Sequence, residues 1–309
     1  MHQGPWRIAG LCLAIAALGS ACAGQGRTAS TGSSASVATP APTASSSAES
    51  TRPPSDKDFD PKNFHDPTHI TNPYFPMTPG TQFLWKGHAF DDGDRVSRAI
   101  EFTVTDLTKT INGVQTVVAR DRDITNGEAE EIELTFYAQD DFGTVWYFGE
   151  YSEEYDEKQI VKSPLWLAGQ RKARAGIMMA GRPRTGTPDY AEGWGGSDLH
   201  WNDRAKVHKV GVKNCVPTGC YSDIVVIDEF NPDEPGQHQL KYYAPNVGGI
   251  RTGWSGAKEV EREELALASR KNLGPSALAD LREDVLDEEQ RAYHRSPGTY
   301  GKTAPMTKA

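Results

Sequence analysis

The chain has 309 residues, of which 33 are Lys or Arg and 42 are Asp or Glu, for a formal net charge of −9. That acidic excess argues against a nucleic-acid partner, whose phosphates are bound by Lys and Arg that release counterions. No run of 18 or more apolar residues occurs, so no segment reads as a membrane-spanning helix.

Near the N-terminus Arg7 precedes an almost wholly apolar run from Ile8 to Leu18, followed by Gly19-Ser20-Ala21-Cys22. This is the build of a secretory signal over 1–21, too short to cross hydrocarbon. Small residues before a cysteine resemble a bacterial lipobox, which makes Cys22 the diacylated first residue of the mature chain and the membrane, through that lipid anchor, its first partner. A rival reading takes Ala21-Cys22-Ala23 as an A-x-A site that releases a soluble protein. Residues 22–57 are dominated by Ala, Ser, Thr and Pro and cannot bury enough apolar surface to offset their backbone entropy. They read as a disordered tether with a root-mean-square span of roughly 30 Å.

Four cysteines occur. Cys12 leaves with the signal and Cys22 is modified, so Cys215 and Cys220 remain. Pro217 and Gly219 turn the chain between them, which brings the pair within disulfide reach. Outside the cytoplasm oxidation is their default state, and so short a loop adds about 1–2 kcal/mol.

A single β domain is expected over 58–268. Asn72-Pro73-Tyr74-Phe75-Pro76-Met77-Thr78-Pro79-Gly80 is too proline-rich for helix or central strand, and should be an extended lead-in that packs its aromatics on the first sheet. Strand signals follow at 81–87, 96–106, 108–112, 114–122, 131–139, 144–150, 158–162, 174–180, 204–212, 221–230, 238–244 and 257–265. Many are separated by turn pairs such as Asp92-Gly93, Asn112-Gly113, Asn126-Gly127 and Phe142-Gly143. Val145-Trp146-Tyr147-Phe148 is apolar on both faces, so its outer face is covered or it lines a cavity. Residues 269–309 read as a helical appendage and tail, with helical pattern from Ser276 to Leu281 and from Asp287 to Tyr293.

Polar constellations are weak. His65 and His69 have a helical metal spacing, but Pro67 makes their segment an extended loop. Asp121-Arg122-Asp123 up to Gly127 fails the register of a calcium loop and reads as a hairpin with a solvated acidic rim of Glu128, Glu130, Glu131 and Glu133. Asp140-Asp141-Phe142-Gly143 is a β-turn. No nucleophile elbow or phosphate loop is present, and neither a catalytic nor a metal-binding residue is assigned, nor any cofactor.

Three blocks carry a resemblance. Ile70-Thr71-Asn72-Pro73-Tyr74-Phe75-Pro76 with Pro79-Gly80, then Tyr137-Ala138-Gln139-Asp140 with Val145-Trp146-Tyr147-Phe148-Gly149-Glu150, then Lys241-Tyr242-Tyr243-Ala244-Pro245-Asn246-Val247-Gly248, resemble a widespread bacterial family of secreted hypothetical proteins and lipoproteins. The likeness spans residues 60–262. It implies export and a β-rich fold and carries over no catalytic residue. Phe136 stands where the family pattern has Trp, and Asn246 where it has Gly, in a turn that calls for positive φ, which Asn tolerates best after Gly.

The expected fold is therefore mainly β, a strongly curved antiparallel sheet or incomplete β-barrel with short C-terminal helices. The expected function is non-catalytic binding of an apolar or amphipathic small molecule, or of an envelope protein, by a cell-envelope lipoprotein. Trp85, Tyr137, Trp146, Phe148 and Tyr242 are the expected lining. The competing expectation is a cell-wall or glycan hydrolase using Asp140 and Glu150, with a metal at His65 and His69.

Overall fold

The computed structural model describes residues 55–196 and 199–309. The signal, Cys22 and the tether through residue 54 lie outside them. Among the described residues sixteen strands form one antiparallel sheet. Four long hairpin-linked strands open it: β1 (Thr81–Asp91), β2 (Asp94–Ile111), β3 (Val114–Thr125) and β4 (Glu128–Gln139). The Asx-Gly pairs between them hold positive φ at both residues, 48° and 88° at Asp92-Gly93, 49° and 80° at Asn112-Gly113, and 52° and 91° at Asn126-Gly127. Those are type I′ turns, whose twist matches that of the flanking strands. Next come β5 (Val145–Asp156), β6 (Gln159–Lys162), β7 (Leu165–Leu167), β8 (Arg174–Met179), β9 (Tyr190–Ala191) and β10 (Gly193–Trp194). The second half comprises β11 (Arg204–Val216), β12 (Gly219–Phe230), β13 (His238–Ala244), β14 (Gly248–Ser255) and β15 (Glu264–Asn272), then helix α1 (Pro275–Arg295) and β16 (Thr307–Lys308).

The sheet runs β10-β8-β5-β4-β3-β2-β1-β15-β14-β13-β12-β11-β9, with β6 and β7 added to β5 and β16 to β2. Its two ends meet on one short stretch of chain. Tyr190 and Ala191 pair with Ala205 and Arg204, whereas Gly193 and Trp194 pair with Ala175 and Arg174. Glu192, buried between them, marks the seam of a nearly closed barrel, an arrangement that removes most exposed strand edge.

Several elements differ from the sequence expectation. The signals at 96–106 and 108–112 are one strand, β2, interrupted by a register shift between Val104 and Thr108. Instead of 257–265, the last long strand is Glu264–Asn272; the segment before it is a loop in which the Glu259 carboxylate accepts from the backbone N–H of His238 and of Glu261. The glycine-rich β14 carried no strand signal, yet a ring lies where a side chain on Gly249 would go: a Cβ there would sit 3.3 Å from the Trp85 indole. The two helical patterns fuse into one 21-residue helix, since nothing from Arg282 to Leu286 breaks it.

Helix α1 lies on the outside of the barrel, held by ion pairs. Arg120 Nη2 reaches Glu288 Oε1 at 2.6 Å, Arg291 grips Glu153 through two bonds of 2.8 and 2.9 Å, and Arg282 Nε donates to Asp106 at 2.9 Å. Beneath the helix Lys109 Nζ meets Glu289 Oε1 at 2.7 Å, with both side chains about fully buried at 0% and 1% exposure. The ammonium also sits 4.3 Å from the Tyr300 ring centroid. The β11–β12 hairpin ends in the Cys215–Cys220 disulfide.

Candidate functional site

Strand alternation decides what the barrel encloses. On β3, Arg120 and Arg122 face outward to Glu288 and Glu101, which turns Asp121 and Asp123 inward. Register then fixes their neighbours: Asp121 pairs with Phe102 and Glu133, and Asp123 with Ile100 and Glu131. Read along the barrel, each inward column changes character in the same direction. It goes from Tyr137 to Glu133 and Glu131 on β4, from Phe102 to Arg98 on β2, from Tyr243 to Lys241 on β13, and from Val225 to Glu229 on β12. One end of the interior is aromatic and the other is charged.

The charged end is rich in acid. Arg98 is ion-paired with Asp123 and bridges Glu130 at 3.3 Å and Glu263 at 3.5 Å. Lys241 Nζ lies 3.8 Å from Glu229. Burial raises the pKa of Asp121, Glu131 and Glu133 well above the usual carboxylate range, and the neighbouring carboxylates raise it further. Burial likewise pushes Glu150 up to about 7, against the hydrogen bond it accepts from the Tyr147 hydroxyl, and Glu263 up to about 7, against the pull of Lys241 and Arg98. Glu131 and Glu133 are thus interior residues, not the solvated rim expected from sequence; only Glu128 and Glu130 lie toward the hairpin tip. The reason is the inward phase of β4, which the i, i+2 spacing of acids shares with a solvated face.

The aromatic end is plugged by the lead-in. Phe75 lies 5.3 Å from the Tyr137 ring, 6.2 Å from Tyr243 and 6.5 Å from Phe102, centroid to centroid. Asn72 anchors this segment, with its Nδ2 donating to the carbonyls of Gly143 and Ala180 and its backbone N–H to Gln139. Asn246, at φ 62° as its turn requires, donates to the carbonyl of Pro73 at 2.6 Å.

Between plug and charges lies a pocket of about 150 Å³ walled by Phe75, Met77, Phe83, Trp85, Phe102 and Tyr137, with Asp121 and Lys241 at its polar border. Phe83 and Trp85 are stacked at 5.4 Å, and Trp85 Nε1 donates to the carbonyl of Gly249 at 3.1 Å, which fixes the indole plane. The wall is thin here. Strand β14 pairs with β15 through Arg251–Ala266 and Thr252–Leu265, and Gly248, Gly249, Arg251 and Thr252 line the pocket together with Tyr242.

Of the five residues expected to form a lining, Trp85, Tyr137 and Tyr242 border this pocket. Trp146 and Phe148 do not. They occupy the outer face of β5 under Phe59, whose ring lies 5.4 and 5.6 Å from theirs, and under Phe64 at 6.4 and 5.7 Å. The inner face of β5 carries Tyr147, stacked on Tyr137 at 5.0 Å, so the strand is apolar on both faces because both are covered. Phe83, Phe102, Asp121 and Lys241 also line the pocket and were not assigned to a lining from sequence. Their common signal is the inward phase of paired strands, which requires the register.

The carboxylates considered for hydrolysis belong to different surroundings. Asp140 structures its turn, accepting from the N–H of Phe142 and Thr144 and from Trp146 Nε1 at 2.9, 2.8 and 2.9 Å. Glu150 accepts from Tyr147 inside the barrel. His65 pairs with Asp141 at 2.7 Å and the exposed His69 lies 3.4 Å from Asp66. Among the described residues no group of three or more His, Cys, Asp or Glu side chains is arranged to hold a metal.

No protein-family model matches the chain, and no curated protein matches it. Two solved structures are similar. One is a protein assigned as exported, with a YmcC-like fold, from Bacteroides fragilis, at 14% identity and TM-score 0.37, covering 64% of this chain and 99% of that one. Another, assigned as a lipoprotein from Parabacteroides distasonis, has 16% identity and TM-score 0.34, covering 64% and 98%.

Proposed function

We propose that the protein is a non-catalytic binding protein of the cell envelope, tethered to the membrane through Cys22, which receives a small apolar or amphipathic molecule in the barrel. The observation that carries this reading is the pocket of about 150 Å³ left open in an otherwise filled aromatic layer. A void of about that size accommodates a benzene-sized group, and each methylene buried there contributes about 0.8 kcal/mol. Phe75 and Tyr137 pack ring to ring, Phe83 is stacked on Trp85 and the Trp85 indole is hydrogen-bonded, so little side-chain entropy is lost when a ligand enters. The disulfide at the β11–β12 tip accords with an oxidising compartment.

Native mass spectrometry of the full chain purified from its own host tests the reading, together with calorimetric titration of the stripped protein with benzyl alcohol. A co-purifying small mass, or saturable uptake of the alcohol at one site, is expected. An empty protein that also takes up no alcohol overturns it.

A further inference from the structure

The pocket is lined from both faces of the same strands. Lys241 and Thr252, paired across β13 and β14, face the barrel interior, whereas Tyr242 and Arg251, the next pair along, face outward. All four line the pocket, so it passes through the wall, and the register shows where. Strands β14 and β15 pair at Arg251–Ala266 and Thr252–Leu265 and, among the described residues, at no position nearer Gly248. From Leu267 to Asn272, β15 pairs with β1 instead. The slot left between β14 and β15 is spanned by the Trp85 indole, whose Nε1 donates to the Gly249 carbonyl.

Arg251 stands at the mouth of this slot. Its guanidinium carbon lies 5.7 Å from the Tyr242 ring centroid, and among the described residues no carboxylate pairs with it. Ala266 separates it from the exposed Lys86, which pairs with Ala266 from the β1 side, so two cations share one row of the outer face. The acid on that face of β15 is Glu264, two residues beyond Ala266 and farther from the slot. Inside, Lys241 has Glu229 at 3.8 Å, and Asp121 keeps its Oδ1 closed off from solvent. An anion at the mouth meets a guanidinium able to donate two parallel hydrogen bonds. A cation there meets like charge.

Resting on the pocket reading above, we propose that the ligand is a small carboxylic acid with an apolar body, bound as its carboxylate. The body passes between β14 and β15 to lie beside Trp85 and Tyr137, and the carboxylate stays at the mouth on the Arg251 guanidinium. A pocket of about 150 Å³ takes one ring or a short chain and is too small for a diacyl lipid.

The test compares phenylacetate, phenethyl alcohol and phenethylammonium, three molecules of nearly one shape, by calorimetric titration of the stripped full chain at pH 7. Phenylacetate should bind about tenfold or more tighter than the alcohol, and the ammonium should be weakest. In Arg251→Gln the advantage of phenylacetate over the alcohol should vanish; in Arg251→Lys, which keeps the charge and loses the fork, it should persist in part. If the alcohol or the ammonium equals phenylacetate in the wild type, or if Arg251→Gln retains the advantage, the carboxylate assignment is wrong and the apolar pocket stands. If none of the three binds, both readings fall.

Discussion

Replacing Glu150 by Gln tests the electrostatics of the barrel interior. The carboxyl is 2% exposed and burial lifts its pKa from 4.5 to about 7. A carboxyl raised on folding favours the folded state only while it holds its proton. Between pH 4.5 and 7 the unfolded chain loses that proton and the folded chain keeps it, so the unfolded state binds fewer protons and stability falls as pH rises. Each pH unit in that window costs about 1.4 kcal/mol, and the loss is complete above pH 7 at about 3 kcal/mol. Gln keeps the acceptor for the Tyr147 hydroxyl and has no proton to lose. Glu150→Gln should therefore match the wild type within about 1 kcal/mol near pH 4.5 and exceed it by about 3 kcal/mol at pH 8. Urea unfolding at the two pH values reads this as a midpoint difference that opens with pH at constant slope. A variant less stable than the wild type at pH 8, or a difference independent of pH, would refute the reasoning.

Other perturbations act on the frame. Lys109→Ala strands the buried Glu289 carboxylate and should cost about 3–5 kcal/mol; Lys109→Met combined with Glu289→Gln should recover much of that, as denaturant midpoints will report. Gly149→Ala adds a Cβ 2.1 Å from the carbonyl oxygen of Trp166, at φ 130°, so the register shift that β5 makes against β4 between Tyr147 and Gly149 cannot persist. A loss of about 3 kcal/mol or more, or failure to accumulate as folded protein, is expected by circular dichroism.

Much of the architecture was legible because it is written locally. Asn112-Gly113 and Asn126-Gly127 specify their hairpins by backbone conformation, and Val114 to Arg120 show the period-two pattern. The prolines around Phe75 exclude it from the ladders and leave it free to plug one. What stayed hidden depends on partners distant in sequence. Trp146 and Tyr147 are equally apolar, and only the pairing of Tyr147 with Tyr137 and the cover of Phe59 over Trp146 tell inside from outside. Asp121 reads as hairpin polarity until Phe102 and Glu133 are set beside it. Strand β14 escaped notice because its glycines, which weaken strand propensity, are needed where Trp85 approaches the backbone.

The central claim is that a ligand occupies the space beside Trp85 and Tyr137. A crystal structure of the stripped protein soaked with benzyl alcohol addresses it most directly. Density for the ring between Phe75, Trp85 and Tyr137 is predicted. Density for ordered water alone in that space, or rings collapsed together to fill it, would contradict the account.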